Sequence, residues 1–220
     1  MLIEEAIWIK NQLNNHFGND DFPLLNLGSS TRKFREKDQS HIFKHIFSPL
    51  QKKKLKVIHS DIKQLDGVDI VGNINDISFR ESLKRENIKS IICSNLLEHV
   101  ESPILIIKSI LDILPENGKL IVTTPFYFPY HKDPIDTMFR PTIKELELLF
   151  GGLQTITSSS LISKKNLFQV LKSNPLYFFR MILRWFIPFY KFQEWKLHFK
   201  DLLKLRKNFS ANCIVFKKIS

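Results

Sequence analysis

The chain has 220 residues, 43% of them hydrophobic and 25% charged, with a formal net charge of +11 at neutral pH. That length and apolar content suit one folded domain with a substantial core and exclude a disordered chain. The only two cysteines, Cys93 and Cys213, sit in apolar runs, which argues against a disulfide framework or a thiolate metal cage and points to a reducing compartment. No early segment has the length and freedom from charge of a spanning helix, and Glu4-Glu5 is wrong for a signal peptide, so a cytoplasmic location is expected.

In chain order, residues 2–17 predict an amphipathic helix with Leu2, Ala6, Ile9 and Leu13 on one face, ended by Gly18-Asn19-Asp20-Asp21. Residues 24–27 read as a buried strand that breaks into Gly28-Ser29-Ser30. A polar passage around Arg32–Gln39 and a helix through His41–Phe47, stopped by Pro49, lead to a second strand at 55–60 that closes on Asp61. The apolar segment Val68–Val71 precedes Gly72-Asn73, and the next buried strand, 88–93, runs into Ser94-Asn95-Leu96-Leu97-Glu98-His99-Val100. A helix from about Pro103 to Leu114 carries Ile104, Ile107, Leu111 and Leu114 on one side. The turn Pro115–Gly118 then feeds a strand, 119–124, whose end is set by Pro125. Thr142, with Glu145 in the capping-box position, starts a helix through Phe150 that Gly151-Gly152 stops. A polar-alternating strand follows at 154–160, and the last strand is 212–216. Between them, 161–208 is mainly helical by apolar spacing, interrupted by Pro175 and Pro188. Strands alternating with helices predict an α/β fold over a single domain, 1–220, with 161–208 as a helical insertion.

The charge belongs to the tail. From Leu161 to Ser220 there are 13 Lys or Arg and 2 acidic residues, so the preceding part is neutral, and 11 of the 26 aromatic residues fall between Phe168 and Phe199.

An open parallel sheet offers ligands the carboxyl ends of its strands. Gly28 lets backbone approach a ligand closely, and the amides after it can face a polar or carboxylate group, although a turn requirement alone also explains a glycine there. Asp61 could accept from both hydroxyls of a ribose, or cap a helix; Asn73 could accept from an adenine amino group, or hold a turn. Asn95, Glu98 and His99 surround the mouth of the following strand, within reach of a substrate. An adjacent Glu and His do not make the metal-binding helix motif, and no metal is expected. Their ordinary roles would be a helix-starting Glu and a hydrogen-bonded structural His. His131, Asp133, Asp136 and Arg140 share a polar loop broken by Pro129, Pro134 and Pro141. There His131 could act as a base near neutral pH, and Arg140 could hold a carboxylate or phosphate, with an Asp136–Arg140 structural pair as the alternative.

The combined order of Leu25–Thr31, Ser60-Asp61-Ile62, Val71-Gly72-Asn73, Ile92–Val100 and Leu114–Leu120 resembles the class I S-adenosylmethionine-dependent methyltransferases, particularly small-molecule members with a Leu-Glu-His-Val block. The resemblance implies a Rossmann-like, seven-stranded, mostly parallel sheet with flanking helices and the helical insertion before the last strand. It also implies that S-adenosylmethionine is the cofactor. Gly28 and the Ser29–Ser30 turn would pass beneath its methionine part, Asp61 would bind the ribose, Asn73 would meet the adenine, and Ser94–Asn95 would lie near the sulfonium. The Pro125–Arg140 stretch is similar to a substrate-side loop, so Asp136 and Arg140 are candidate substrate contacts, with Glu98 beside the preceding strand end as a third. Asn26 stands in a usual acidic position, Ser30 and Arg32 replace two customary glycines, and Asn73 replaces the usual Asp.

In-line transfer of a methyl group needs an aligned nucleophile and, where that nucleophile holds a proton, a base; His131 is the first candidate and His99 the reserve. The strand end Cys93–Leu96 lacks the Asn/Asp-Pro-Pro-aromatic pattern and the Pro-Cys pair of base-modifying enzymes, which disfavours nucleic acid while leaving ribose methylation open. The expected acceptor is a small molecule or glycan precursor, lipid-linked acceptors included; a noncatalytic binding protein and an RNA methyltransferase are the alternatives. For 161–208 two readings stand ahead of RNA binding. One is a buried cap over the active site; the other is shallow peripheral contact with an anionic membrane, which would put the protein at its inner face.

Overall fold

The computed structural model describes residues 1–131 and 134–219, with Tyr177 described by its backbone alone. Seven strands form one sheet: β1 (Leu24–Leu27), β2 (Val57–Asp61), β3 (Ile70–Val71), β4 (Ser90–Ser94), β5 (Lys119–Tyr127), β6 (Leu153–Asn166) and β7 (Asn208–Lys218). Their spatial order is β3-β2-β1-β4-β5-β7-β6, parallel except for β7, which runs antiparallel to both β5 and β6. The order reverses between β1 and β4, and the crevice at that switch point is where such a sheet binds ligands.

The two faces explain the apolar runs. Leu25, Ile91, Val122 and Ile214 point to one side, where α4 (Ile77–Arg85), α5 (Pro103–Ile113) and α6 (Ile143–Leu149) supply Leu83, Ile107, Ile110 and Leu146. Their neighbours Leu24, Ile92, Ile121 and Val215 point to the other, against Ala6, Ile9 and Leu13 of α1 (Ile3–His16) and Ile42, Ile46 and Leu50. A strand buried on both faces reads as a continuous hydrophobic stretch, which is why β1, β4 and β5 stand out in the sequence.

Several boundaries differ from expectation. Pro49 does not stop a helix; it lies in the first turn of α3 (Ser48–Lys52), where no intrahelical N–H partner is needed. Before α3, helical turns run from Phe34 onward, α2 (Ser40–Ile42) being flanked by wider π turns at Phe34–Asp38 and Phe43–Phe47. Pro125 does not end β5. It lies beyond the last β4 partner, Ser94 opposite Thr123, and beside a bulge in the β7 pairing, where a missing N–H is tolerated. Strands β6 and β7 are longer than their apolar cores, pairing from Leu153–Lys218 out to Asn166–Asn208 as a two-stranded arm.

That arm carries α7 (Leu167–Ser173), α8 (Pro175–Trp185) and α9 (Phe192–Leu202). Leu167, Leu171, Met181 and Phe209 make a small separate core there, with Tyr127 and Phe128 packed against it.

Candidate active site

At the switch point a cavity of about 690 Å³ opens along the carboxyl ends of β1, β2 and β4. It takes in Gly28, Ser29, Ser30, Asp61, Asn73, Ser94 and Asn95, then continues past Glu98 and His99 to His131. Ten of the twelve residues expected from the sequence thus border one space. Asp136 and Arg140 do not line it, and Asp133 lies outside the described residues.

At the β1 end the chain turns sharply. Gly28 has φ +71°, a left-handed conformation that favours glycine, and a Cβ there would press on Leu96 Cδ1 at 2.8 Å. Ser30 takes a left-handed φ of 55° and donates its amide to Asp61 Oδ2 at 2.9 Å. Asp61 Oδ1 accepts from the Lys63 amide at 3.1 Å. Each carboxylate oxygen keeps a second lone pair, so Asp61 is oriented by the chain and still able to accept from a diol. Asn73 Oδ1 accepts from the Asn75 amide at 3.0 Å, which holds the turn and leaves the side-chain NH₂ as a donor among its free capacity. Ile62 and Ile74 add apolar wall beside it.

At the β4 end the titratable groups gather. Glu98 is fully buried, neither of its oxygens has a hydrogen-bond partner in another described residue, and burial pushes its pKa up to about 7 against the pull of its own backbone amide and of Arg140. His99 Nδ1 faces the Ile135 carbonyl at 2.6 Å and therefore carries its proton there, while its Nε2 lies 3.8 Å from Glu98 Oε1. The His99 and His131 rings meet edge to face with centroids 5.0 Å apart.

His131 Nδ1 faces two acceptors, the Pro129 carbonyl at 3.1 Å and Asp136 Oδ2 at 3.3 Å. In the neutral ring this assigns the proton to Nδ1 and the basic lone pair to Nε2. Burial lowers the His131 pKa, but the Asp136 and Pro129 contacts outweigh it and the net shift is upward. The Asp136 side chain is buried and accepts from the His131 amide, the Met138 amide at 2.9 Å and Arg140 Nη2 at 2.7 Å. Asp136 and Arg140, expected as substrate contacts, therefore bind each other and the loop backbone behind His131.

Two contributors were not expected. Glu5, fully buried on α1, accepts from Asn95 Nδ2 at 2.9 Å and from the Leu2 amide at 2.7 Å, so the N-terminal helix closes over the β4 end of the cavity. Its signal was an acidic residue on the apolar stripe of α1, one turn before Ile9. Arg35, also buried, donates to the carbonyls of Ser29 at 2.9 Å, Ser30 at 2.7 Å and Gly67 at 2.7 Å, and so clamps the turn that lacks its customary glycines. Within a run of charges it carried no distinguishing mark.

Among the described residues, none from 161–208 lines this cavity; the insertion touches the site through the loop before His131. Asp201 on α9 accepts the Tyr130 amide at 3.0 Å, and the Tyr130 and His198 rings are 5.6 Å apart.

No protein-family model matches the sequence, and no curated protein matches it. Solved structures do. A candidate sarcosine dimethylglycine methyltransferase from Galdieria sulphuraria superposes with a TM-score of 0.57 at 12% identity, over 98% of this chain and 84% of that one. The [4+2]-cyclase SpnF gives 0.55 at 12% identity, over 97% and 80%. Coclaurine N-methyltransferase, bound to N-methylheliamine and SAH, gives 0.50 at 15% identity, over 97% and 70%. The chain has the fold of the class I S-adenosylmethionine-dependent methyltransferases.

Proposed function

We propose that this chain is an S-adenosylmethionine-dependent methyltransferase whose acceptor is a small molecule or a glycan precursor. The observation that carries the reading is one continuous cavity with an oriented carboxylate, Asp61, at one end and an oriented imidazole, His131, toward the other. Its volume falls in the range of small-ligand sites, about 300–1,000 Å³. The cationic surface of the protein lies on 161–208, away from the cavity lining, which favours a small acceptor over a nucleic acid strand.

The donor set fits the cofactor. The Gly28–Ser30 turn with Ser94–Asn95 would hold the methionine part, Asp61 the ribose, and Asn73 with Ile62 and Ile74 the adenine. Bound there, S-adenosylmethionine supplies an electrophilic methyl group. The chain supplies alignment and a proton acceptor: Asp136 keeps the His131 ring in the Nδ1–H tautomer, leaving Nε2 to take a proton from an acceptor hydroxyl. An imidazole with a raised pKa is half-neutral only above the ordinary value of 6.5, so transfer through it rises with pH through that region.

Calorimetry on folded wild type and Asp61→Ala tests the cofactor half. Loss of charge-assisted bonds should weaken S-adenosylmethionine binding by about 1.5–3 kcal/mol, roughly 10- to 100-fold. Equal affinity would remove Asp61 as the ribose anchor. Radiolabelled methyl transfer across metabolite, glycolipid and RNA fractions tests the acceptor. There His131→Asn should lower the rate by roughly 100-fold or more with cofactor affinity unchanged. Incorporation confined to RNA would overturn the acceptor class.

A further inference from the structure

We infer that the hairpin of α8 and α9 docks on the surface of an anionic lipid bilayer, entering the interface with the turn between the helices and the outer face of α8. This surface is independent of what the cavity binds.

Leu176, Phe179, Leu183 and Phe186 recur at helical spacing and are exposed to 62%, 58%, 49% and 76%. A solvent-facing stripe of large apolar residues is the reverse of what a core helix shows. It leads into the turn Phe186-Ile187-Pro188-Phe189-Tyr190, where Phe189 is 95% exposed. Insertion of backbone into an interface is costly when carbonyls lose water. Here Arg184 already donates to the carbonyls of Ile187 at 2.8 Å, Tyr190 at 2.5 Å and Lys191 at 3.3 Å, and Pro188 has no N–H to satisfy. The tip is therefore apolar in its side chains and largely self-satisfied in its backbone. It is also braced from behind, by Trp195 Nε1 donating to the Trp185 carbonyl at 3.0 Å and by Trp195 stacked on Phe199 with centroids 5.3 Å apart.

Charge identifies the occupant. Exposed Arg180, Lys191, Lys196 and Lys200 surround the apolar face, and the segment from Leu161 onward is +11. Of its two acidic residues, Asp201 is buried against Tyr130. A second copy of the chain would bring one strongly cationic face onto another, whereas anionic headgroups match the cations while the aromatics enter below them. Among the described residues no helix is long and apolar enough to cross a membrane, so the contact is peripheral.

Sedimentation of the full chain with phosphatidylcholine vesicles and with phosphatidylcholine–phosphatidylserine vesicles tests this. Expected is capture by the anionic vesicles alone, weakening as salt is raised. Lys191→Gln, Lys196→Gln and Lys200→Gln should each lower partitioning about fivefold. The exposed pair Phe186→Ser and Phe189→Ser should abolish capture while near-ultraviolet circular dichroism stays unchanged. Wild type remaining in the supernatant with both vesicles, or capture that the paired phenylalanine change leaves intact, would overturn the proposal. So would self-association of the wild type, measured by analytical ultracentrifugation without lipid, that the same pair abolishes.

Discussion

Glu98 ties the protonation of the site to the stability of the fold. Burial raises its pKa from 4.5 to about 7, so between those values the unfolded chain gives up a proton that the folded chain keeps. Stability present at low pH is therefore lost as pH rises, by roughly 3 kcal/mol in all. Glu98→Gln should remove that dependence, read as urea midpoints at pH 5 and pH 8 that converge relative to wild type. Asp136 acts with the opposite sign. Burial alone would raise its pKa, but bonds from His131, Met138 and Arg140 hold it below the ordinary carboxylate range, and its contribution is lost as pH falls toward acid. The sequence made these groups visible as titratable residues beyond strand ends. It could not separate Glu98, which has no hydrogen-bond partner in another described residue, from Asp136, which is bonded to Arg140 and the loop backbone, because that difference is made by contacts across the 129–140 loop.

At the scale of elements, the Gly28–Ser30 turn depends on Arg35. Arg35→Met would leave the carbonyls of Ser29, Ser30 and Gly67 without their charged donor. The expected loss is about 3 kcal/mol in thermal or urea unfolding, with weaker S-adenosylmethionine binding by calorimetry. Gly67, at φ +80° and with a Cβ position 2.6 Å from Arg32 Cβ, shows how tightly that clamp is packed. The parallel strands and α5 were legible in advance, since burial on both faces writes an apolar run and burial on one face writes a helical stripe. The π turns near Phe34–Phe47 and the length of the β6–β7 arm were not, because both follow from pairing and packing rather than local preference. Proline misled twice, at Pro49 and Pro125, where its missing N–H faces no required partner.

At the scale of the molecule, a charge-neutral α/β body carries a cationic, aromatic hairpin on its antiparallel edge. The asymmetry was plain in composition; that the hairpin stands off the cavity, bonded to it through Tyr130 and Asp201, was not. The two buried thiols have a practical consequence. Cys93 lies in β4 between β1 and β5, Cys213 lies in β7 between β5 and β6, and burial raises the pKa of both. Alkylating reagents attack thiolate, so the folded protein should stay unlabelled while partial denaturation exposes first one reporter or the other. Mass spectrometry of alkylated peptides would then tell whether the antiparallel edge opens before the parallel centre. Labelling of either cysteine at the mixing time in native buffer would contradict the packing described. With both native thiols silent, a cysteine placed at Phe189 would accept a fluorophore by itself, and its emission would follow the hairpin tip from water into lipid.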